Sequence, residues 1–334
     1  MLVVTGGSGF LGTYVICELL SNGHSVRAIK RKNSDLSEFI LIAKYKFPKT
    51  HPEILNRVEW IEADVNDIIN LDLAFKGASM VFHCAAKVKF NQGVDELKKI
   101  NVEGTANVVN ACLENKVEKL IYVSSTAALG RINNNSTIVE ENYWVDDKNN
   151  TLYAESKHEA ELEVWRGIEE GLKAVIVNPG IILGYGDWSK GSCRLFYNVF
   201  KGLKFYTKGV NGFVGVEDVS KGMLELANSR ITNERFLFIS ENISYEDLFS
   251  RMASRFNIKG PSILVKEIYL PFISWILKLY SLANSSSNLS PETLRTSVKK
   301  FKYSNTKIKE SIGYEFESID TVLDKACEAY ISKK

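Results

Sequence analysis

A doubly wound α/β fold, a parallel Rossmann-like sheet with a smaller, mainly helical substrate lobe, is predicted by three features of this sequence. Short β-rich runs alternate with helical patterns through the first half of the chain. Those runs are continuously apolar, as strands covered on both faces must be. The alternation ends after Pro179, where helical patterns take over. Strands separated by helices pair in parallel, and right-handed crossovers place helices on both faces of the sheet.

Six strands are expected in the first half: Leu2–Thr5, Ser25–Ile29, Val58–Ile61, Met80–His83, Lys119–Ser124 and Ala174–Asn178. Between them, Leu11, Val15, Ile16, Leu19 and Leu20 recur at helical spacing, as do Leu97, Ile100, Ala106, Val109 and Cys112, and Glu155–Glu169 reads as a third helix. Beyond Pro179, Phe213–Val216 and Phe236–Ile239 read as late additions to the sheet. Glu217–Asn228, Tyr245–Phe256, Lys266–Leu282 and Thr321–Ile331 read as helices, and the Ser/Asn-rich stretch Asn284–Ser290 as a loop. The expected division is residues 1–184, with late elements near 213–239, for the dinucleotide-binding part, and 185–212 with 240–334 for the lobe.

Composition narrows the class. The 334 residues correspond to roughly two domains. Hydrophobic residues at 45% and charged residues at 25% exclude a disordered chain, a collagen and a coiled coil. A formal charge of +2 gives no reason to expect a nucleic-acid partner. Cys17, Cys84, Cys112, Cys193 and Cys327 are odd in number, widely spaced and without a CxxC pair, which reads as reduced thiols in a cytoplasmic protein. No secretory start is visible. The most apolar stretch, Ile268–Leu282, is interrupted by Pro271, Ser274, Lys278 and Ser281 and is too short to span a bilayer, so a buried or amphipathic helix is expected there. His24, His51, His83 and His158 lack metal-ligand spacing, and no metal is expected.

The first strand runs into Thr5-Gly6-Gly7-Ser8-Gly9-Phe10-Leu11-Gly12, and a helix follows at once. Glycines at this spacing let the backbone turn sharply and approach a pyrophosphate, whose charge meets the free N–H groups of the helix start. The strand-turn-helix setting turns a weak pattern into a dinucleotide site. A carboxylate ending the second strand would select NAD. The chain instead reads Lys30-Arg31-Lys32-Asn33-Ser34, with the first acid at Asp35 in what reads as the next helix. Three successive cations suit a 2′-phosphate and make NADP the preferred cofactor, with NAD the alternative; a solvated basic loop is the plainer account. Asp64 and Val65 follow the third strand, where a side chain would meet the adenine. Ala85 and Ala86 follow the fourth, where small residues let a cofactor lie close or simply pack tightly.

Tyr153 and Lys157 stand one helical turn apart. The same Tyr-x-x-x-Lys spacing occurs at Tyr45/Lys49, Tyr197/Lys201, Tyr303/Lys307 and Tyr330/Lys334, so context must choose. Only Tyr153 and Lys157 follow a strand ending in hydroxyls, Ser124-Ser125-Thr126, and open a helix leading to another strand. A phenol has an ordinary pKa near 10, and a nearby ammonium favours its ionised form. Tyr153 is then fit to exchange a proton with an oxygen whose carbon exchanges hydride, while a serine hydroxyl holds that oxygen.

Together these residues resemble the extended short-chain dehydrogenase/reductase family, the NAD(P)-dependent epimerase/dehydratase superfamily, along nearly the full length. The stretch Val26–Arg31 is similar to its dihydroflavonol-reductase branch. Thr5–Gly12 looks like the TGxxGxxG turn, Asp64-Val65 like the adenine-side acid, and His83–Ala86 and Asn101–Val108 like the fourth-strand and following-helix signatures. Asn178–Gly184 resembles the segment meeting the nicotinamide amide, and Phe213–Val219 the late strand-to-helix junction. The resemblance implies cofactor contacts at Gly6, Gly9, Phe10, Leu11, Gly12, Asp64, Val65, Ala85, Ala86, Lys157, Pro179 and Ile182, with Arg31 meeting the cofactor phosphate. It implies catalytic roles for Ser125, Tyr153 and Lys157. Counting back from Gly130 selects Ser125 over Ser124. Asn101 stands where the family has a helix-shaping or water-relay asparagine, and equally reads as a helix residue bonding neighbouring backbone.

Departures from the family patterns narrow the chemistry. Thr126-Ala127 replaces the Asp-Glu of the dehydratases, and Asn178-Pro179 replaces the Arg-Pro common in epimerases. Epimerases also need cations in the lobe for a diphosphate, for which Lys190 and Arg194 are candidates, though a surface role is the favoured reading for each. The expected function is an NAD(P)-dependent reductase or dehydrogenase acting on a small-molecule carbonyl or secondary alcohol, with a nucleotide-sugar epimerase as the alternative and a redox-sensing binding protein as a third reading. Trp144, Tyr185, Trp188, Phe205 and Tyr206 either line an aromatic pocket or belong to the core. A homodimer through the helices at 101–114 and 153–171 fits the resemblance.

Overall fold

The computed structural model describes residues 1–88, 94–130, 136–147, 150–270 and 291–332. The chain opens with β1 (Leu2–Thr5), α1 (Phe10–Ser21), β2 (Val26–Lys30), α2 (Ser37–Lys46), α3 (His51–Asn56), β3 (Val58–Glu62), α4 (Ile68–Phe75) and β4 (Met80–His83). The next helix begins as α5 (Val94–Leu97), passes through a π-helical segment at Lys98–Glu103 and continues as α6 (Gly104–Glu114). Then come β5 (Lys119–Val123), the short β6 (Thr137–Ile138), α7 (Leu152–Glu169) and β7 (Ala174–Pro179).

Beyond Pro179 lie β8 (Ile181–Leu183), α8 (Arg194–Phe200), β9 (Phe205–Tyr206), β10 (Val210–Gly215), α9 (Val216–Asn228), β11 (Glu234–Phe238), β12 (Glu241–Ser244), α10 (Tyr245–Arg255) and β13 (Ile263–Leu264). Helices at Pro291–Ser297, Thr306–Ile312 and Ile319–Ser332, with β14 (Lys302–Tyr303) among them, complete the described chain.

Seven parallel strands form the main sheet in the order β11-β7-β5-β4-β1-β2-β3. The order reverses between β1 and β4, and such a switch point opens a crevice at the carboxyl ends of the strands. Successive side chains of β1 point to opposite faces. Val4 joins Val15, Leu19 and Met223 under α1 and α9, while Val3 joins Phe75, Val109 and Val164 under α4, α6 and α7. All four residues of β1 and all six of β7 are buried, which accounts for the apolar runs Leu2–Val4 and Ala174–Val177. Each buried Leu, Val or Ile side chain among them contributes about 1.5–3 kcal/mol by leaving water.

The six strands expected in the first half are present, β1 and β4 with the same ends. One late strand departs from expectation. The segment expected at Phe213–Val216 is β10, and it leaves the main sheet: Phe213 pairs in parallel with Ile181 of β8 and antiparallel with Glu241 of β12. Pro179 has no N–H to continue the β7 ladder, and Gly180 packs so closely on β10 that an added Cβ would lie 2.3 Å from Gly212 O. The chain therefore turns into a second, three-stranded sheet. The strand expected at Phe236–Ile239 does join the main sheet as β11, beside β7.

Within the expected helix Lys266–Leu282 a 3₁₀ turn covers Glu267–Tyr269; residues 271–282 of it, and the expected loop Asn284–Ser290, lie outside the described residues. Asp35 precedes α2 rather than lying in it, its carboxylate accepting from Ser37 N at 2.8 Å and Ser37 Oγ at 2.6 Å. All five cysteines are free thiols. Among the described residues no helix is long and apolar enough to cross a membrane.

Candidate active site

The turn between β1 and α1 has the shape its glycines require. Gly6 has φ +68°, and an added Cβ would sit 2.7 Å from Ala85 N; one on Gly12 would sit 2.2 Å from Gly6 O. Gly9 caps α1 without a side-chain hydrogen bond, and no acidic residue lies in the first turn, so the N–H groups at this helix start face outward unneutralised. These residues fit a dinucleotide pyrophosphate. Phe10 packs beneath Gly184 and Gly186, which brings the segment after β8 over the same turn.

At the second strand, Arg31 opens a tight turn in which Ser34 N donates to Arg31 O at 2.9 Å and Arg31 N donates to Ser34 Oγ at 3.0 Å. Arg31, Lys32 and Asn33 are exposed, and among the described residues no carboxylate pairs with Arg31. After β3, Asp64 accepts from Asn66 N at 2.9 Å, and the Val65 carbonyl accepts from Asn107 Nδ2 at 3.0 Å. Asn107 on α6 thus tethers the loop that carries the expected adenine contact. A cavity of about 350 Å³ lies between α2 and the segment after β8, lined by Ser37, Glu38, Leu41, Gly186, Asp187, Trp188 and Tyr330. Tyr153, Ser125 and Lys157 are not part of its lining.

Thr151 caps α7 through its Oγ1, which accepts from Ala154 N at 3.1 Å, and so places Tyr153 in the first turn. One turn on, Lys157 is only 2% exposed. Its Nζ donates to Tyr122 Oη at 2.8 Å and to the Val123 carbonyl at 2.9 Å, both at the end of β5. Burial lowers its pKa to about 7 despite Glu161 and Cys84 nearby. Among the Tyr-x-x-x-Lys pairs whose lysine is described, this is the one whose lysine is drawn into the sheet end; Lys201, by contrast, is exposed, and Lys334 lies outside the described residues.

The two serines after β5 divide their work. Ser124 is buried and its Oγ donates to Glu161 Oε2 at 2.6 Å. Ser125 is half-buried, in extended backbone, with Oγ accepting from Ala127 N at 3.1 Å. Asn178 is fully buried and its Nδ2 donates both to the Ser125 carbonyl at 3.0 Å and to Glu161 Oε2 at 2.9 Å. Arg235 completes the group, with Nη1 on Glu161 Oε1 at 2.9 Å and Nε donating to the Glu140 carbonyl at 2.7 Å.

Asn101 lies in the π-helical segment with its side chain fully engaged. Oδ1 accepts from Lys87 N at 2.7 Å, while Nδ2 donates to the Lys87 carbonyl at 3.1 Å and to Ser156 Oγ at 3.0 Å. It brackets the segment after Ala85 and Ala86 against the start of α7. His83 is buried between Thr5 Oγ1 at 2.6 Å and Thr105 Oγ1 at 3.1 Å, and desolvation lowers its pKa to about 3, so the ring is neutral. Of the aromatic candidates, Trp144 stacks on His158, the neighbour of Lys157, at 4.3 Å. Tyr185 and Trp188 pack on Tyr330 in the lobe core, and Phe205 is exposed on β9.

Sequence reasoning overlooked Tyr122, Glu161, Asn107 and Arg235. Glu161 was within reach of it, because it stands one turn beyond Lys157 on the same face of α7. Arg235 was not, because its partner lies 74 residues away in sequence.

A glycine-rich turn at the switch point of a doubly wound sheet, with Lys157 buried one helical turn beyond Tyr153 and Ser125 half-buried after β5, is the arrangement of a nicotinamide-dependent oxidoreductase of the extended short-chain dehydrogenase/reductase type acting on small molecules. Residues 3–217 match the 3-beta hydroxysteroid dehydrogenase/isomerase family, and the chain belongs to that family. A putative dihydroflavonol 4-reductase of Synechocystis sp. is 26% identical over 97% of this chain and 92% of its own. The crystal structure of gox2253 superposes with a TM-score of 0.82 at 29% identity, covering 100% of this chain and 98% of that one. The UDP-glucose 4-epimerase of Thermotoga maritima, solved with UDP-glucose, shares the fold with a TM-score of 0.78 at 19% identity, covering 99% of each.

Proposed function

We propose that the protein is an NADP-dependent reductase, or in reverse an alcohol dehydrogenase, of a small or medium-sized carbonyl compound, with Tyr153 as general acid/base. The observation that carries this reading is the Lys157 amine, buried at the carboxyl end of β5 one turn beyond Tyr153. The outward helix start at Gly9–Gly12 and the adjacent Ala85 and Ala86 would hold the dinucleotide, with Asp64 and Val65 towards its adenine and Pro179 and Ile182 towards its nicotinamide amide. Bound there, the cofactor supplies or accepts hydride.

The remaining work falls to this chain. Lys157, one helical turn from Tyr153, would favour the ionised phenol in its ammonium form and meet the nicotinamide ribose. Ser125 holds the reacting oxygen, since Ser124 is already committed to Glu161. Tyr153 Oη gives that oxygen a proton during reduction and takes one during oxidation. Asn101 acts through the backbone it brackets. Residues 185–212 and 240–334 would form the substrate side, with Trp144 bordering the reacting end through its stack on His158.

Arg31, exposed and without a carboxylate partner among the described residues, supports NADP over NAD. The five unpaired thiols suit a reducing, cytoplasmic setting. A homodimer through α6 and α7 would cover Leu162, which is 51% exposed; sedimentation tests it.

Tyr153→Phe, assayed with NADPH against a panel of aliphatic and aromatic aldehydes and ketones, tests the whole reading. Turnover falls about a hundred- to ten-thousandfold while NADPH affinity is kept; undiminished turnover would remove Tyr153 from its role. A nucleotide-sugar epimerase shares the architecture over nearly the whole chain. That alternative requires cofactor that survives dialysis and no net NADPH consumption.

A further inference from the structure

Lys157 is the most deeply buried cation beside the site, and among the described residues no carboxylate forms an ion pair with it. An ammonium has three N–H donors. Two are used, on Tyr122 Oη at 2.8 Å and on the Val123 carbonyl at 2.9 Å, and Tyr122 is itself fully buried in β5. The Val123 carbonyl is part of the strand and comes with the fold. Tyr122 Oη is the side-chain component of this dock, and the reading of the reaction given above makes no use of it. A phenylalanine would serve the apolar packing of Tyr122 equally well, and a buried hydroxyl costs free energy unless it is bonded; this one is bonded on two sides, to the Lys157 amine and to the Thr105 side chain.

We infer that Tyr122 is a positioning residue: its hydroxyl docks the Lys157 amine at the end of β5, leaving one N–H to face the nicotinamide ribose and Tyr153. This rests on the assignment of Lys157 to the cofactor and to Tyr153 in the proposed function. The dock fixes two of the three donor directions of an otherwise flexible four-carbon side chain, so the third direction is set before the cofactor arrives. It also supplies hydrogen bonding where water is excluded. The titratable groups around the amine are Tyr122 on β5, Glu161 on α7, His83 at the end of β4 and Cys84 just after it, and Tyr153 interacts electrostatically with Tyr122. His83 is neutral, and burial pushes the Cys84 thiol up to about 12, so Glu161 is the charged neighbour and Tyr122 the bonded one.

The test uses the full-length protein labelled with isotope at lysine side chains, the Lys157 signal being identified by its loss in Lys157→Met. The amine is titrated by NMR in wild type and in Tyr122→Phe, and NADPH affinity is measured for all three proteins by fluorescence. Removing the hydroxyl acceptor disfavours the ammonium, so Tyr122→Phe lowers the Lys157 midpoint by about one pH unit. It also weakens NADPH binding about three- to tenfold, with the thermal midpoint changed little. Packing alone would leave the amine titration unmoved. Should Tyr122→Phe fold poorly, fluorotyrosine at position 122 keeps the shape and weakens the acceptor, and the midpoint moves the same way by less.

An unchanged Lys157 titration and unchanged NADPH affinity in Tyr122→Phe, with affinity lost in Lys157→Met, would overturn the positioning role and leave the functional reading standing. NADPH affinity unaffected in Lys157→Met would overturn both.

Discussion

Ser124 Oγ donates to Glu161 Oε2 at 2.6 Å, so the two hydroxyls that follow β5 are chemically unequal although they adjoin in sequence. Glu161 is almost wholly buried and also accepts from Asn178 and Arg235. Ser124→Ala leaves that carboxylate short of one charge-assisted bond. It should destabilise the protein by about 1.5–3 kcal/mol and change turnover by no more than a few fold. Ser125→Ala should do the reverse, lowering turnover about a hundredfold with little effect on the thermal midpoint. Chemical denaturation and steady-state rates on both variants separate the two roles.

The Glu161–Arg235 pair links α7 to β11 behind the serines, at 2.9 Å and with the carboxylate side chain 3% exposed. Arg235→Leu strands a buried carboxylate and should cost about 3–5 kcal/mol. Replacing both partners by apolar residues should cost less than Arg235→Leu alone. Urea denaturation of the single and double variants checks this ordering.

Gly6 combines a left-handed backbone with an approach to Ala85 that leaves no room for a methyl group. Gly6→Ala should therefore both destabilise the β1–α1 turn and weaken NADPH binding at least tenfold. Gly23 also has positive φ, +80°, but has nothing within 4 Å of an added Cβ. Gly23→Ala should carry backbone strain of about 1 kcal/mol and leave NADPH affinity unchanged. The contrast between the two separates the cradle from backbone strain.

Under the function proposed above, Arg31 meets the 2′-phosphate and cofactor choice turns on its side chain. Arg31→Ala should reduce NADPH affinity about tenfold, or 1.4 kcal/mol, with NADH affinity held within twofold. Equal losses for both cofactors would place Arg31 away from the 2′-phosphate.

His83 makes part of the stability pH-dependent. Its folded pKa, about 3, lies below the ordinary value of 6.5, so the unfolded chain binds the extra proton as pH falls. The contribution of the neutral ring is present above about 6.5 and is lost progressively down to about 3. Asp218 acts in the opposite sense. Burial raises its pKa to about 7, so its contribution is present at low pH and is lost as pH rises from its ordinary value of 3.8 towards 7. Comparing wild type with His83→Gln isolates the first effect. The difference in unfolding free energy between pH 7 and pH 5 should change by about 2 kcal/mol, with wild type losing more.

The sheet was legible because β1, β4, β5 and β7 are buried on both faces, a demand that writes itself into unbroken apolar runs. The glycine turn and the Tyr153–Lys157 spacing were legible because local geometry dictates both. What escaped was set by contacts distant in sequence. Tyr122 reads as an ordinary strand aromatic until Lys157, 35 residues later, folds onto its hydroxyl. The Phe213–Val216 run has the composition of a sheet strand, and only the break at Pro179 and the fit of Gly180 against Gly212 divert it to β8. The choice of Ser125 over Ser124 rested on a resemblance, because the Ser124–Glu161 bond that sets the two hydroxyls apart joins residues 37 apart in sequence.

The most direct measurement is a crystal structure of the protein with NADPH bound. The nicotinamide ring should lie against the carboxyl ends of β4 and β5, with the Lys157 amine on its ribose and the Tyr153 hydroxyl beside the face that releases hydride. A ring bound away from Tyr153, or a dinucleotide that leaves the Lys157 amine without contact, would contradict the account.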